Sequence, residues 1–433
     1  MVKQASLLKD LESITGRRYA SPGDKRLSVD GMAPQAVVRP GSYAEVAGVL
    51  RYANGAALAV IPWGGGTAMD AGNIPHRYDI ALCLSRLNKV TEHEPADLTV
   101  TCQAGMSLRA LQKHLAAAGQ MVPFDPSLSG RATIGGLLAT NAYGPARLAC
   151  GAARDFTIGL RVVTADGRLT RAGGRVVKNV AGYDLCKLYV GSLGTLGVIV
   201  EATFKLAPLP KLERCIVLGV PSPAAACGLA AEAHRRGLSL RGAQLLNESA
   251  ARAARLPAGD GGYLLIVDLA GGQQAVERSQ REIGELAAAA DARTLDAAGG
   301  MQPSQLIPPP RGGSRLRCRA SVLPGQVAGT VAAIQEVAPA GTRLAAYPTL
   351  GVLRVAMAGG DDPSGPLARL REIVRRERGT LIVESCPPSL KRNIDVFGEA
   401  PPSFGPSFRL MRRVKEQFDP GGVLSPGRFV GRL

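Results

Sequence analysis

The sequence predicts an α+β protein made of two unlike halves, and three observations carry that prediction. In the first half, short apolar runs alternate with glycine-rich loops and capped helices. In the second half a β-α-β-β-α-β rhythm runs once and then repeats, which reads as one or two ferredoxin-like units. Hydrophobic residues at 46% against 20% charged, over 433 residues, describe a folded chain long enough for two or three cores.

Composition narrows the function classes. No apolar segment approaches the roughly 20 residues of a membrane span. The opening Met1-Val2-Lys3-Gln4-Ala5-Ser6 has no apolar core after its lysine, so a cytoplasmic location is expected. None of the eight cysteines (Cys83, Cys102, Cys150, Cys186, Cys215, Cys227, Cys318, Cys386) lies within five residues of another, so no zinc or iron–sulfur spacing is present. Four scattered histidines (His76, His93, His114, His234) point to no metal site. The net charge of +17 fits an anionic ligand, an acidic protein partner or peripheral association with an inner membrane face. Nucleic acid is disfavoured, because there is no long Lys/Arg block and only 4% of residues are aromatic.

Taken in order, residues 1–33 form a lead-in, with a short surface helix over 3–14 and an irregular stretch over 16–30. Val37-Val38-Arg39-Pro40 is a strand ended by proline. Ser42-Tyr43-Ala44-Glu45 is a capping box opening a helix with Val46, Val49 and Leu50 on its apolar face. The strand Ala57–Ile61 then runs into Pro62-Trp63-Gly64-Gly65-Gly66-Thr67-Ala68-Met69-Asp70. Three successive glycines allow positive φ and close approach of the backbone to a ligand, and aligned N–H groups there can cradle an anion. The loop is either such a cradle or an ordinary glycine-rich connection. Ile80–Leu84 and Leu98–Gln103 read as strands, and Ser107 caps a helix (Leu108, Leu111, Leu115) that stops at Gly119.

Pro123-Phe124-Asp125-Pro126-Ser127 next leads to Ala132-Thr133-Ile134-Gly135-Gly136-Leu137-Leu138-Ala139-Thr140-Asn141. Thr133 is a cap whose following N–H groups either receive more of an anion or belong to a helix packed closely on a neighbour. Leu160–Thr170 reads as a hairpin with a type I′ signal at Asp166-Gly167. Gly191-Ser192-Leu193-Gly194-Thr195-Leu196-Gly197-Val198-Ile199 leads into a strand ending at Pro208. Neither a G-x-G-x-x-G opening a helix nor a glycine loop followed by a phosphate-binding lysine is present.

In the second half, Cys215–Val220, Pro223–Arg236, Gly242–Leu246, Tyr263–Leu269, Gln273–Ala290 and Arg293–Leu295 form the first repeat. Ile307–Gly313, with three prolines, breaks the pattern as a loop or linker. Leu316–Val322, Gln326–Val337, Arg343–Ala346, Val352–Ala356, Gly365–Arg378 and Thr380–Glu384 form the second.

The stretches Pro62–Asp70, Thr133–Asn141, Asp166-Gly167 and Gly191–Ile199, in that order and spacing, resemble the FAD-binding domain of the vanillyl-alcohol oxidase / p-cresol methylhydroxylase (PCMH/VAO) class over about Pro34 to Leu209. The resemblance implies a two-subdomain FAD-binding domain at 34–210, a ferredoxin-like α+β cap at 211–390, and a segment at 391–433 returning to the FAD domain. It implies that Pro62, Gly64, Gly65, Gly66, Thr67, Pro126, Thr133, Gly135, Gly136, Asn141, Gly194, Gly197, Val198 and Ile199 line the cofactor. Covalent members often carry a histidine beside the glycine loop; here the residues are Thr67-Ala68-Met69, so noncovalent FAD is expected.

The C-terminal run Asp419-Pro420-Gly421-Gly422-Val423-Leu424-Ser425-Pro426-Gly427-Arg428, with Ile394–Gly398 and Lys178–Asp184, resembles the E subunits of bacterial glycolate oxidases. Those carry asparagine where Ser425 stands. Catalytic relatives carry His-rich motifs and a glutamate where Leu193 stands, so no catalytic residue is assigned. The resemblance implies an FAD-binding subunit in a complex oxidising a small 2-hydroxy acid, with a catalytic flavoprotein subunit and an iron–sulfur subunit as partners. A stand-alone 2-hydroxy-acid dehydrogenase and a scaffold subunit without redox role are the alternatives. Lys178 and Tyr183 either face the flavin or are a solvated lysine and a packed tyrosine. Arg428 either pairs with a carboxylate or is exposed, Trp63 either covers the cofactor or packs in the core, and Cys150 and Cys186 are packing residues.

Overall fold

The first sheet grows from a crossover that the sequence caps at its start. Ser42 accepts a hydrogen bond from the Glu45 amide at 3.1 Å, and the Glu45 carboxylate accepts one from the Gly41 amide at 2.8 Å. The helix so started, Tyr43–Gly55, buries Val46, Val49, Leu50 and Ala53 and carries the chain from strand Ala36–Val38 to strand Val60–Trp63. Both strands pair in parallel with Ile80–Cys83 between them, and Ala20–Pro22 adds an antiparallel edge. Helix Gln4–Thr15 lies outside and buries Leu7 and Leu11 completely, so only one of its faces meets solvent. The computed structural model describes residues 4–126, 130–174, 183–257, 262–295, 316–357, 363–398 and 405–433. Lys178 and the proline-rich Ile307–Gly313 lie outside the described residues.

A second, antiparallel sheet has the order Val90–Glu94, Thr99–Gln103, Val198–Lys205, Thr157–Val163, Leu169–Gly173. Its last hairpin corrects the expected turn type. Among Thr164–Arg168 only Gly167 has positive φ (+77°), and its amide donates to the Thr164 carbonyl at 2.9 Å. That is a type I turn closed by a left-handed glycine, with Asp166 held in the right-handed region by a 2.6 Å bond from the Thr164 hydroxyl. One hydrophobic core serves both sheets and includes Val423 and Leu424 from the C-terminal run. The latter pair reaches it because the Val60 amide donates to the Val423 carbonyl at 2.8 Å and the Ser425 amide donates to the Val60 carbonyl at 2.9 Å.

Among the described residues the second half forms one antiparallel sheet of eight strands. Leu212–Val220, Leu240–Asn247, Tyr263–Gly271 and Arg293–Leu295 stand in the order fourth, first, third, second, the ferredoxin-like arrangement. Leu316–Ser321, Arg343–Tyr347, Val352–Met357 and Thr380–Ser385 repeat it. The two units meet through their second strands, where Leu245 and Leu246 pair with Ala346 and Ala345. Helices Pro223–Arg235, Gln273–Ala289, Val327–Val337 and Ser364–Arg376 pack on one face, contributing Leu229, Val276, Ile283, Val331, Ile334, Leu367 and Leu370 to its core. The opposite face is divided. Val217, Leu246, Leu264 and Ile266 are covered by helix Glu248–Ala253, while the second unit presents Arg317, Arg319 and Arg354 toward the glycine loops.

Buried charges tie the halves together. Lys391, with no exposed surface, donates to Asp30 at 2.7 Å and to the Asp70 carbonyl at 2.8 Å. Lys415, on the C-terminal helix Gly405–Phe418, donates to the Thr195 carbonyl at 2.8 Å, the Leu424 carbonyl at 3.0 Å and the Asp419 carboxylate at 2.5 Å. Among the described residues no helix is long and apolar enough to cross a membrane.

Candidate functional site

The three glycines after Trp63 are there for close approach. A Cβ on Gly64 would lie 2.0 Å from the Thr133 hydroxyl oxygen, and one on Gly65 would lie 1.8 Å from the Arg131 carbonyl oxygen. Gly66 adds a φ of +67°. Among the described residues the amides of Gly64, Gly65, Gly66 and Thr67 donate to no protein acceptor. The loop therefore presents a run of free main-chain donors to the space it borders, the property that an anion cradle requires.

The Thr133 stretch works differently from the anion-receiving alternative. Thr133 does cap helix Ile134–Thr140, its oxygen accepting from the Gly136 amide at 3.4 Å. The Ile134 and Gly135 amides, however, donate to the Met106 and Ala104 carbonyls at 2.8 Å each. These amides are spent on the protein itself, and the glycines serve packing: a Cβ on Gly135 would lie 3.0 Å from that of Ala104. Asn141 ends the helix in the left-handed region (φ 47°, ψ 47°), with its Oδ1 buried and unpartnered. Across from it, the Gly191 and Leu193 amides bond to the Leu138 and Ala139 carbonyls, both at 2.8 Å. Leu193 and Gly194 both take positive φ (54° and 73°).

Together these segments enclose a groove. One narrow cavity of about 60 Å³ is bordered by Pro62, Gly64, Thr133, Gly135, Gly136, Gly194, Gly197, Val198 and Ile199. A second, of about 70 Å³, is bordered by Pro62, Gly64, Gly65, Gly66, Thr67, Thr133 and Gly136. Both share Gly136 and Leu193 with a third cavity of about 400 Å³ that reaches Asn141 and the cap sheet. Pro126 is buried and borders none of the three. Trp63 belongs to the core and also edges the narrow cavity, its indole N–H bonded to the Tyr78 hydroxyl at 2.5 Å. Arg428 is buried, against the exposed alternative: its guanidinium donates to the Met69 carbonyl at 2.7 Å and also to that of Ala71, clamping the far end of the glycine loop. Tyr183 is 97% exposed and neither packs nor borders the groove. Cys186 is buried, and burial first, then Asp184, pushes its thiol up to about 12, as suits a packing residue. Ser425 stands at φ 44° with its hydroxyl buried and unpartnered, in the left-handed region where asparagine is at home.

The wide cavity carries a group of side chains that sequence reasoning missed. Arg317, Arg319 and Arg354 surround Glu384 at 3.5, 3.6 and 3.5 Å. Arg319 stands directly opposite Arg354 on the adjacent antiparallel strand, a like-charge pairing that a sheet built only for stability avoids. The ladder between Leu316–Ser321 and Thr380–Ser385 skips Glu384, since Arg317 pairs with Ser385 and Cys318 with Val383. This bulge turns the carboxylate back among the guanidiniums. Burial pushes the Glu384 carboxyl up, yet Arg354, Arg317 and Arg319 outweigh it and hold its pKa below the ordinary glutamate value. Tyr143 completes the group. Its hydroxyl accepts from Arg319 at 2.8 Å, its carbonyl accepts from Arg354 at 3.1 Å, and the Arg147 guanidinium lies 4.4 Å from its ring centre. The one local signal was the alternation Leu316-Arg317-Cys318-Arg319-Ala320, which puts both arginines on one strand face.

Asp125 positions the Tyr143 segment from below, accepting from the Ala146 amide at 3.2 Å. Burial pushes its carboxyl from the ordinary 3.8 up to about 7. A raised carboxyl binds its proton more tightly in the folded state, so this group adds stability as pH falls from about 7 toward 4 and penalises the fold above that range. At ~1.4 kcal/mol per pH unit the penalty has an upper bound of ~4 kcal/mol. Asp125→Asn is thus expected to raise Tm more at pH ~8 than at pH ~5. Equal gains at both pH values would mean that Asp125 is ionised throughout.

The free amides of Gly64–Thr67, the narrow groove of small residues and the unpartnered Asn141 and Ser425 oxygens suit an elongated ligand with an anionic middle. Comparisons with known proteins agree. Residues 34–173 match the FAD binding domain family, and residues 209–348 with 399–429 match the C-terminal domain of FAD-linked oxidases. This chain carries both domains of an FAD-linked oxidase. D-2-hydroxyglutarate dehydrogenase of Xanthomonas citri pv. viticola is 41% identical over 189 residues, 44% of this chain and 40% of that one. Glycolate oxidase subunit GlcE of Escherichia coli is 43% identical over 123 residues, 28% of this chain and 35% of that one. The chain thus matches two-fifths or less of the length of these two relatives. p-Cresol methylhydroxylase with substrate bound aligns over 99% of this chain and 97% of that one, with a TM-score of 0.74 at 16% identity, a likeness of fold. FAD is the cofactor of the first of these domains, and the free main-chain donors and small residues of the groove suit its elongated, anionic form.

Proposed function

We propose that this chain is an FAD-dependent oxidoreductase that oxidises a small 2-hydroxy acid, working as a subunit of a glycolate oxidase-type assembly. The observation that carries this reading is the arginine group beside the glycine groove. A 2-hydroxy acid needs a cation for its carboxylate next to an electron acceptor, and Arg317, Arg319 and Arg354 supply cations in the same cavity that reaches Asn141 and Leu193. FAD, when bound, supplies the two-electron acceptor. The chain's own residues do the rest. Gly64–Thr67 offer amides to the diphosphate, Leu193 and Asn141 border the space where the acid is oxidised, and the guanidiniums fork its carboxylate and fix its orientation. The Tyr143 hydroxyl, accepting from Arg319, keeps its own proton free to donate to a substrate oxygen.

Noncovalent attachment is proposed because, among the described residues bordering the three cavities, none is histidine or cysteine. Acid precipitation of the purified chain is expected to leave the flavin absorbance in the supernatant. Yellow colour retained in the pellet would overturn this, and a colourless folded chain that takes up no added FAD would remove the redox reading altogether.

The likeness to GlcE supports the assembly, with a catalytic flavoprotein subunit and an iron–sulfur subunit as partners. A stand-alone dehydrogenase is supported by the likeness to D-2-hydroxyglutarate dehydrogenase and by the arginine group lying within this one chain. Turnover of a 2-hydroxy acid by the isolated chain with an artificial electron acceptor decides for the second; reduction seen only with partner subunits present decides for the first.

A further inference from the structure

The wide cavity has two unlike ends. The charged groups of its lining, among the described residues, are Arg317, Arg319, Arg354 and Glu384, and they stand on three adjacent strands of the cap sheet. Where the C-terminal part of the chain forms the wall, the lining is hydrocarbon. Phe397, Phe429 and Val430 lie there, with Ile382 at the boundary, opposite Arg319 on the neighbouring strand. Leu193 also borders this space, close enough to the glycine loop that a Cβ on Gly72 would lie 2.9 Å from its Cδ1.

The apolar end is fixed by buried polar groups. Asn73, with no exposed surface, joins the two segments that carry the phenylalanines: its Oδ1 accepts from the Val396 amide at 3.0 Å, and its Nδ2 donates to the Phe429 carbonyl at 2.9 Å. The Asp395 carboxylate accepts from the Phe397 amide at 2.9 Å and from the Gly431 amide at 2.7 Å. The Val383 amide donates to the Val396 carbonyl at 2.8 Å, which ties this wall to the strand of Ile382 and Glu384. The two rings meet with 5.6 Å between centres at 59°, a tilted aromatic pair. Both phenylalanines are only half-buried, so a preformed aromatic surface continues from the arginine group along one cavity.

We infer that the substrate is a monocarboxylic 2-hydroxy acid with a branched or aromatic side chain, its carboxylate at the arginine group and its side chain against Phe397, Phe429 and Val430. The inference rests on the proposed oxidation of a 2-hydroxy acid and names its substrate class. In such an acid the carboxylate and the side chain leave the carbinol carbon in different directions, and the cavity presents the same division. An acid without a side chain would leave the aromatic wall wet and forgo its apolar contribution. A second carboxylate directed to that end would lose its water and meet no cation.

Titration calorimetry on the chain as purified, at fixed ionic strength, tests this with acetate and 3-phenylpropanoate. Each carries one negative charge and neither has a 2-hydroxyl to oxidise, so the difference between them reads the apolar wall. Wild type is expected to bind 3-phenylpropanoate at least about thirtyfold more tightly than acetate. Phe429→Ala should weaken 3-phenylpropanoate about tenfold more than acetate, and Phe429→Leu should restore most of the preference. Arg317→Gln should weaken both acids by the same factor, about threefold or more. Damage to the fold lowers both affinities together, so a change in their ratio separates the wall from damage. Equal affinity of wild type for the two acids, as when the flavin ring itself covers the aromatic pair, would overturn the inference. A preference that survives Phe429→Ala unchanged, or an Arg317→Gln effect on one acid alone, would overturn it too. Flavin absorbance recorded on the same samples keeps the two questions apart. A flavin-containing chain with no preference defeats only this inference, while a flavin-free chain that still prefers 3-phenylpropanoate defeats only the redox reading.

Discussion

Gly65→Ala is expected to leave the chain without bound flavin and with a much lower melting temperature. The new methyl would sit 1.8 Å from the Arg131 carbonyl oxygen, and a backbone oxygen cannot turn aside as a side chain can. The strain exceeds the ~1–3 kcal/mol of ordinary core overpacking, because relief requires the loop and the segment before Thr133 to separate. Separation widens the groove and tilts the free amides of Gly64–Thr67 away from a common point, so ligand and stability are lost together. Gly55→Ala is the control. A Cβ there meets nothing within 4 Å, and it should keep both flavin and melting temperature. Visible absorbance per mole of protein and a thermal melt check the pair. Gly65→Ala with full flavin content and an unchanged melt would show that this loop moves more freely than its packing implies.

Lys391→Met is expected to destabilise the fold by ~3–5 kcal/mol, the usual effect of removing one partner from a buried ion pair. The ammonium is wholly inaccessible, and Asp30, 4% exposed at its side chain, would lose its hydrogen-bonded partner and keep only the weaker influence of Arg428 as counter-charge. Burial already raises the Asp30 carboxyl, and Lys391 is the main influence opposing it. Loss of the lysine therefore drives Asp30 toward its protonated form and makes stability fall more steeply as pH rises. Replacing both partners, Asp30→Asn with Lys391→Met, should recover much of the loss, since the carboxylate that lost its lysine is then gone as well. Urea unfolding of the two single variants and the double variant measures the coupling. A double variant as unstable as the sum of the singles would mean that the pair contributes nothing beyond packing.

What the sequence disclosed and withheld follows from how local each feature is. Ser42, Ser107 and Thr133 announce helix starts because a cap is a contact within three residues. The glycines at 64–66 and 194 are legible because only glycine meets the close contacts and positive φ those positions impose. The ferredoxin-like rhythm shows because each strand alternates and each helix keeps its period. The arginine group was hidden, since Arg317 and Arg319, Arg354 and Glu384 arrive on three strands, and a ladder skip at Glu384 has no local signature. Arg428 misled for the same reason. Near the end of the chain an arginine suggests solvent, and only the fold brings it the Met69 carbonyl, 359 residues earlier in the chain.

The seam between the two cap units divides one face of the sheet between two uses. Follow one row of neighbours across seven of the eight strands: Gly219, Leu264, Leu246, Ala345, Arg354, Arg319, Ile382. It begins in one unit as plain hydrocarbon under a helix, and within two strands of the seam it becomes a pair of cations facing the groove. The same architecture has been used twice, once as wall and once as instrument. A doubled module of this kind lets one copy keep the sheet together while the other is free to change its chemistry, and the divided face shows where that freedom has been used.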